Sequence, residues 1–379
     1  MLPKSTKVIS VDDHVVEPRH VWQTHLPEKF RAVGPRIIEQ EDGAECWLLE
    51  DQVYPVSLMG SPVTRLFKEG GTGEEIFARR YDDTIPASYE PKARLEAMDI
   101  DGIEAELNFP SSFPRFAGVR FLDIKDRELA LAVVRAYNDW MIDEWCATDP
   151  SRFIPMILTP LWDPQLGAEE IRRTAGKGAK AISFPENPAP LGMASFWTDY
   201  WDPVFKAAEE TDMPLCMHVG TSGSLRKTAP ESSKPTEIAL SGVCAMMSCA
   251  DLIFSGIIDR HPAIKIALSE GGSGWAAYLV ERMDYTWHRT RFEVDSPLAP
   301  SEVFQRNFWT CFISDEAAVE ARHRIGVDKL MFETDFPHND SNYPHARKLL
   351  EQTMADVPDD EARQIAELNA RKVFNFYES

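Results

Sequence analysis

The chain is poor in features that mark several protein classes. Its 379 residues include only six cysteines, Cys46, Cys146, Cys216, Cys244, Cys249 and Cys311, and no two form a C-x-x-C pair. Several stand in apolar company, as in LCMH and FWTCF, where cysteine serves as a small core residue. This argues against a disulfide framework and against a zinc–thiolate site. No window approaches 18 uncharged apolar residues, so no spanning helix is expected. The N-terminal MLPKSTKVISVDDH lacks an apolar run of signal-peptide length, which points to a cytoplasmic protein. Basic groups are scarce: 40 Lys and Arg against 61 Asp and Glu leave a net charge of −21. Such a surface repels nucleic acid and anionic membrane, so neither is an expected partner. Otherwise, 44% hydrophobic and 27% charged residues describe a globular chain long enough for one large domain or two average ones.

What recurs along the sequence is an alternation of short apolar runs with longer helical patterns. The runs are KVISVDD (7–13), GIEAELNF (102–109), FIPMILTP (153–160), AKAISFP (179–185), PLCMHV (214–219), IKIALSE (264–270), FWTCFIS (308–314) and KLMFETD (329–335). Helices are predicted over 127–147, 166–177, 199–210, 237–260, 274–287, 315–325 and about 345–376. Eight strands with helical crossovers predict a parallel α/β sheet, and eight is the number that closes as a (β/α)8 TIM barrel. An open doubly wound sheet is the runner-up, weakened because no glycine-rich fingerprint follows the first strand. The whole chain is expected to form one barrel domain. The surplus length, residues 17–95, reads as an insertion between strands one and two on the catalytic face. Within it, Asp42-Gly43 between two strand-like runs signals a hairpin, and 58–75 carries two glycine-containing turns that suggest a mobile segment.

In a barrel, chemistry sits at the C-terminal strand ends. The first run ends VDDH. Alternation puts Asp12 and His14 on one face, with Val8 and Ser10 behind them and Asp13 turned away. The fifth run ends at His218 and the eighth at Asp335. Two imidazoles and two carboxylates are a divalent-metal set, with zinc the first expectation and manganese or iron the alternatives. Each residue alone has an ordinary explanation: a core histidine, a turn cap, a helix cap. Their convergence at strand ends is what points to a metal.

These motifs resemble the amidohydrolase superfamily. D-x-H at strand one, a single His ending strand five, HP-x-I-K-x-x-L-x-E-G-G and E-T-D-F-P-H are similar, over nearly the whole chain, to its aminocarboxymuconate-semialdehyde decarboxylase-like branch. The resemblance implies a (β/α)8 barrel with one divalent metal held by Asp12, His14, His218 and Asp335, with Asp335 also moving a proton. It implies either hydrolysis through a metal-activated water or non-oxidative loss of a carboxyl group. One departure bears on the choice. The decarboxylases carry a catalytic His after strand six, where this chain has Glu270 in SEGGSGW. An ionised glutamate repels a bound anion that an imidazole would attract. Glu270 is therefore read as a second catalytic residue, and hydrolysis of a small organic molecule as the leading expectation. Decarboxylation of an aromatic or unsaturated acid is the alternative, and a non-catalytic metal-binding barrel the third.

A carboxylated lysine bridging two metals is not expected, because Lys180, the only candidate, stands at the start of strand four. That strand ends instead at Glu186 and Asn187. His338, Asn108 and Trp275 are the expected substrate contacts. Ser314, Asp315 and Asp340 lie near the same strand ends. His20, His25, His261, His288, His323 and His345 are assigned no role. Relatives of this kind assemble, and helix faces such as LALAVVRAYNDWMIDEWC are apolar, so a homodimer or homotetramer is expected.

Overall fold

The computed structural model describes residues 2–56, 79–111, 113–223, 225–293, 296–338 and 340–377. The 58–75 segment lies outside the described residues. Among the described residues twelve strands follow in order: β1 (Ile9–Val15), β2 (Arg36–Glu39), β3 (Glu45–Leu49), β4 (Gln52–Pro55), β5 (Ala105–Pro110), β6 (Phe153–Ile154), β7 (Met156–Ile157), β8 (Ala181–Ser183), β9 (Leu215–His218), β10 (Ile266–Ser269), β11 (Phe308–Phe312) and β12 (Leu330–Phe332). All pairings outside β2–β4 are parallel, in the orders β1-β5-β6 and β7-β8-β9-β10-β11-β12. Pro155, which has no N–H for a ladder, separates β6 from β7. The two arcs meet beyond β12, where Asp335 N donates to Asp12 O at 2.8 Å and Thr334 N to Ser10 Oγ at 2.8 Å. The chain is a (β/α)8 barrel, with all eight expected strands present.

The barrel interior is apolar and small. Ile9, Val11, Ala105, Leu107, Phe109, Met156, Ala181, Cys216, Ala267, Cys311 and Met331 pack as one cluster. It continues into Val373, Phe374 and Phe376 of the chain's last turns. Lys265, just before β10, donates to Val373 O at 3.3 Å, so these rings stopper the N-terminal end. The opposite end is left to polar side chains.

One detail of β1 departs from simple alternation. Ser10 pairs with Glu106 but Asp13 pairs with Asn108, so β1 carries one residue more than its partner across that interval. This is a β-bulge. Ile9 and Val11 face the interior below it, and Val8 belongs to the outer cluster. Asp12 and His14 do share a face, but Val8 and Ser10 do not lie behind them.

The helices begin where side chains can satisfy free backbone N–H groups. Asp126 caps 127–140 through Glu128 N and Leu129 N, and Asp163 caps 164–175 with Pro164 in the first turn. Two long expected helices are broken. The 237–260 stretch divides into Lys234–Ala239, Ser241–Phe254 and Ile257–Arg260, with Gly256 at φ 77° before the last. The 345–376 stretch breaks at Pro358. Helices Pro91–Asp101 and Pro300–Asn307 were not among the expected elements; proline opens both.

The grounds of two further expectations look different in the structure. Lys234–Phe254 does reach the length and apolarity of a membrane span, with mean hydropathy 1.6. Its Cys244, Ala245, Ser248, Cys249, Leu252 and Ile253 are buried in the barrel's outer layer. The apolar face of LALAVVRAYNDWMIDEWC is also spent inside the chain: Leu129, Val133, Val134, Tyr137, Trp140, Met141 and Trp145 are all buried. Exposed apolar groups stand elsewhere, at Trp197, Met247, Tyr278 and Tyr285.

The segment between β1 and β5 contains the expected hairpin. β2 and β3 pair antiparallel around Gly43 (φ 81°), and β4 adds a third strand. Trp47 stacks on Phe113, in the loop after β5, with centroids 4.7 Å apart. The small sheet therefore sits against the end of the barrel that holds the polar groups.

Candidate metal centre and proton relay

Asp12, His14, His218 and Asp335 meet at the C-terminal mouth, with one ligand atom from each within 4.8 Å of the others. His14 Nε2 lies 3.0 Å from Asp335 Oδ1 and 3.8 Å from Asp12 Oδ1, and His218 Nε2 lies 3.7 Å from Asp12 Oδ2. All four residues are fully buried. Yet both Asp12 carboxylate oxygens, His14 Nε2, His218 Nε2 and Asp335 Oδ1 have no hydrogen-bond partner. Buried polar groups are normally satisfied, so five such atoms around one point fit a divalent cation better than they fit one another. His218 Nδ1 donates to Val219 O at 2.6 Å, which leaves the Nε2 lone pair free to face the cluster.

The electrostatics agree. Burial lowers His14 to about 3 and His218 to about 4, so both imidazoles are neutral, as metal ligands must be. Burial, then Glu333, Asp335 and Glu270, raise Asp12 well above the ordinary carboxylate range. The cluster as built lacks positive charge, and a cation would supply it.

Two of the carboxylates sit on strained backbone. Glu270 and Asp335 each have φ 55°, a left-handed conformation costly for a residue with a Cβ. At Asp335 the turn is held by Asp13, whose Oδ1 accepts from Thr334 Oγ1 and, at 3.0 Å, from Phe336 N. At Glu270 it is held by Asp315, whose Oδ2 accepts from Ser273 N and Gly274 N, both at 2.8 Å. Glycine is required beside it: a Cβ on Gly271 would come within 2.5 Å of Ala245 Cβ, and Gly272 has φ 62°. This explains the E-G-G-S-G run. Asp315 is thus a turn clamp, not a lining group.

Glu270 is aimed at the cluster. Its Oε2 lies 3.3 Å from His218 Nε2 and its Oε1 lies 3.3 Å from His338 Nδ1. His338 Nδ1 also lies 2.7 Å from Asp335 Oδ2. Burial works to lower the His338 pKa, but Asp335 and Glu270 outweigh it and push it up to about 11. Glu270, Trp275, Ser314, Glu333 and Asp340 line a cavity of about 400 Å³ beside this group, and Trp275 Nε1 donates to Gly271 O and Gly272 O at its rim. The structure thus brings His338, Glu270 and Trp275 to the site.

Asn108 is not brought there. β5 turns Leu107 and Phe109 inward, and Asn108 faces the helices, where Trp145 Nε1 donates to its Oδ1 at 2.8 Å and its Nδ2 donates to Glu106 at 2.9 Å. Phe109 stands in its stead, 5.2 Å from the His218 ring. Lys180 precedes β8, at the far end, as expected. Glu186 is buried and accepts from Gly220 N at 2.9 Å, so it braces the loop after His218.

Sequence reasoning missed two groups. Phe116 lies over both histidines, with centroids 4.8 Å from His14 and 4.5 Å from His218, and Ser183 Oγ holds its carbonyl at 2.7 Å. Arg94 is fully buried and donates to Glu106 at 2.7 Å, Ala87 O at 3.1 Å, His14 O at 2.9 Å and Phe336 O at 3.1 Å. One guanidinium therefore ties helix Pro91–Asp101 to the ends of β1 and β12, two of the three that carry the candidate ligands. The sequence around it, PKARLEAMDID, carries little amphipathic pattern that could have pointed to it.

The amidohydrolase family model matches residues 25–376. The chain belongs to the amidohydrolase family. It is an enzyme of that superfamily, in the range of its metal-dependent hydrolases and carboxy-lyases. A gamma-resorcylate decarboxylase from Rhizobium sp. is 26% identical over 304 residues, covering 74% of this chain and 86% of that protein. An amidohydrolase from Mycobacterium avium subsp. paratuberculosis superposes with TM-score 0.77 at 24% identity, covering 98% and 100% of the two chains. A dihydroxybenzoic acid decarboxylase from Polaromonas sp. JS666, with bound manganese and the inhibitor 2-nitroresorcinol, gives 0.63 at 18% identity, covering 99% and 98%. Of these, the decarboxylase that is 26% identical supports the carboxyl-loss alternative better than the hydrolysis that Glu270 suggested.

Proposed function

We propose that this amidohydrolase is a metal-dependent decarboxylase of a hydroxylated aromatic carboxylic acid. The carrying observation is the set of unpartnered, buried donor atoms on Asp12, His14, His218 and Asp335. The curated relatives' decarboxylase activity supports the choice of reaction. Two carboxylates and two imidazoles are compatible with manganese as well as with zinc, and the manganese of the Polaromonas enzyme makes it the first metal to test.

A bound cation would chelate the substrate's carboxylate and neighbouring oxygen. The remaining chemistry belongs to the chain. Loss of carbon dioxide needs a proton delivered to the ring carbon that bears the carboxylate. The C–C bond then breaks, and its electron pair restores the aromatic ring. On this reading Asp335 hands over that proton. His338 Nδ1 donates to Asp335 Oδ2 and is the group that reloads it. Glu270 holds His338 from the other side. The rings of Phe116 and Phe109 exclude water from above the histidines, and Trp275 forms one wall of the cavity where the substrate's ring would lie.

The test is metal analysis of the purified protein, followed by carbon dioxide release from a panel of mono- and dihydroxybenzoates with manganese or zinc restored. Release that disappears in His218→Ala together with the metal is expected. A metal-replete enzyme that hydrolyses esters or lactones and releases no carbon dioxide would return the reading to hydrolysis.

A further inference from the structure

Asp335 and Glu270 each reach in two directions. Asp335 Oδ1 is 3.0 Å from His14 Nε2, while its Oδ2 is 2.7 Å from His338 Nδ1. Glu270 Oε2 is 3.3 Å from His218 Nε2, while its Oε1 is 3.3 Å from the same His338 nitrogen. Asp335 Oδ1 thus belongs to the four-residue centre and Glu270 Oε2 faces its His218, while the other oxygen of each carboxylate converges on His338. Glu270, Asp335 and His338 offer one donor atom apiece within 4.8 Å of one another. From this arrangement we infer that a second, weaker divalent-cation site lies between Glu270, Asp335 and His338, sharing Asp335 with the primary centre, and that filling it blocks the proton relay.

The inference rests on reading Asp12, His14, His218 and Asp335 as the primary site. Paired metal ions about 3.5–4 Å apart commonly share ligands, and a carboxylate with one oxygen for each ion is a suitable bridge. Two oxygens and one imidazole nitrogen are hard-to-borderline donors that suit manganese or zinc. The lining is acidic, and the ion would bind by displacing to solvent the proton that His338 donates to Asp335, one reason for its weaker hold. Glu270, Glu333 and Asp340 line the adjoining cavity, and no lysine or arginine is among its lining residues. The nearest buried guanidinium, Arg94, is committed to Glu106 and three carbonyls. The cavity also provides the route in. The second ion would be weaker for a structural reason: it has three protein donors and a half-open cavity, where the primary centre has four fully buried ones. Inhibition follows from the atoms it would take. His338 Nδ1 and Asp335 Oδ2 are the pair that holds the transferable proton, and an ion bonded to both removes it. No strand-four lysine is needed for this site, so the argument from Lys180 against a second metal does not touch it.

The test is a titration of chelator-stripped protein with Mn(II), followed by equilibrium dialysis and electron paramagnetic resonance, with carbon dioxide release recorded on the same samples. Wild type should bind two ions per chain, the second at least 10-fold more weakly, with a spin-coupled signal as the second binds. Activity should rise over the first equivalent and fall over the second. His338→Ala and Glu270→Gln should each lower the capacity to one. A wild-type capacity of one overturns the inference whatever the variants do. Two ions without spin coupling, or activity unaffected by the second, overturns it as well. Failure to bind any ion removes the primary site too, and so is distinguishable from failure of the second alone.

Discussion

Arg94 gives the sharpest test of how the mouth of the barrel is built. Its side chain is fully buried, and its ion pair with Glu106 spans 2.7 Å with both partners shielded from water. Replacing it by Met keeps the volume of the stem but strands a charge on Glu106 and removes the donor from the carbonyls of Ala87, His14 and Phe336. Breaking a buried pair from one side costs about 3–5 kcal/mol, because the remaining charge has no compensation. Asp13 adds to this, since Arg94 is a group that lowers its raised pKa. Removing both charges, in Arg94→Met with Glu106→Gln, should cost less than the sum of the singles by roughly 2 kcal/mol or more, the coupling expected of contacting charges. Urea unfolding of metal-stripped protein measures this without metal binding to N adding its own stabilisation. A second readout is metal affinity, which should fall in Arg94→Met because the His14 and Phe336 carbonyls are no longer pinned. A single mutant within about 1 kcal/mol of wild type, or strictly additive costs, would refute the reasoning.

Three further outcomes are expected. Asp335→Asn should keep much of its metal yet lose turnover by roughly 100-fold or more, the usual weight of general acid–base catalysis; near-normal turnover in the metal-replete variant moves the proton role to Glu270 or His338. Glu17 is buried and raised to about 7 mainly by that burial, against hydrogen bonds from Ser111. A carboxyl raised on folding contributes most below its unfolded pKa and loses that contribution as pH climbs through the folded one. Glu17→Gln should therefore gain on wild type by roughly 3 kcal/mol between about pH 5 and pH 8, and parallel urea midpoints across that window would contradict it. Light scattering should report a dimer or tetramer of the 42.9 kDa chain, and a monomer at micromolar concentration would refute this.

The parts of the site legible in the sequence were those fixed by strand ends. Asp12, His14, His218 and Asp335 converge because any polar residue ending an inward-facing register must reach the mouth. Asn108 shows the weakness of that rule. A strand end gives the right height but not the phase, and β5 happens to turn Asn108 outward and Phe109 in. The phase of β1 came out right at the mouth although the residues assigned behind it were wrong, because the bulge resets the count. Phe116 and Arg94 left no periodic trace. The first lies in a loop, and the second is a cation hidden on a helix whose partners come from four separate places. Lys234–Phe254 shows the converse: its apolar composition suits a membrane and a barrel's outer layer alike, and only packing separates the two.

The extra residue in β1 has a consequence for how this protein can change. Below it, Ile9 and Val11 interdigitate with the barrel interior; above it, Asp12 and His14 aim at the centre. Were the same sequence to alternate regularly, with no bulge, an inward Val11 would force Asp12 outward toward the helices and turn Asp13 in. The bulge therefore works as a phase joint between the part of the strand that packs and the part that reacts. Substitutions in the lower half can repack the interior without rotating the donors. Deleting Val11 would remove the bulge and leave Ile9, Asp12 and His14 on one face by simple alternation, at the cost of one apolar side chain in the interior.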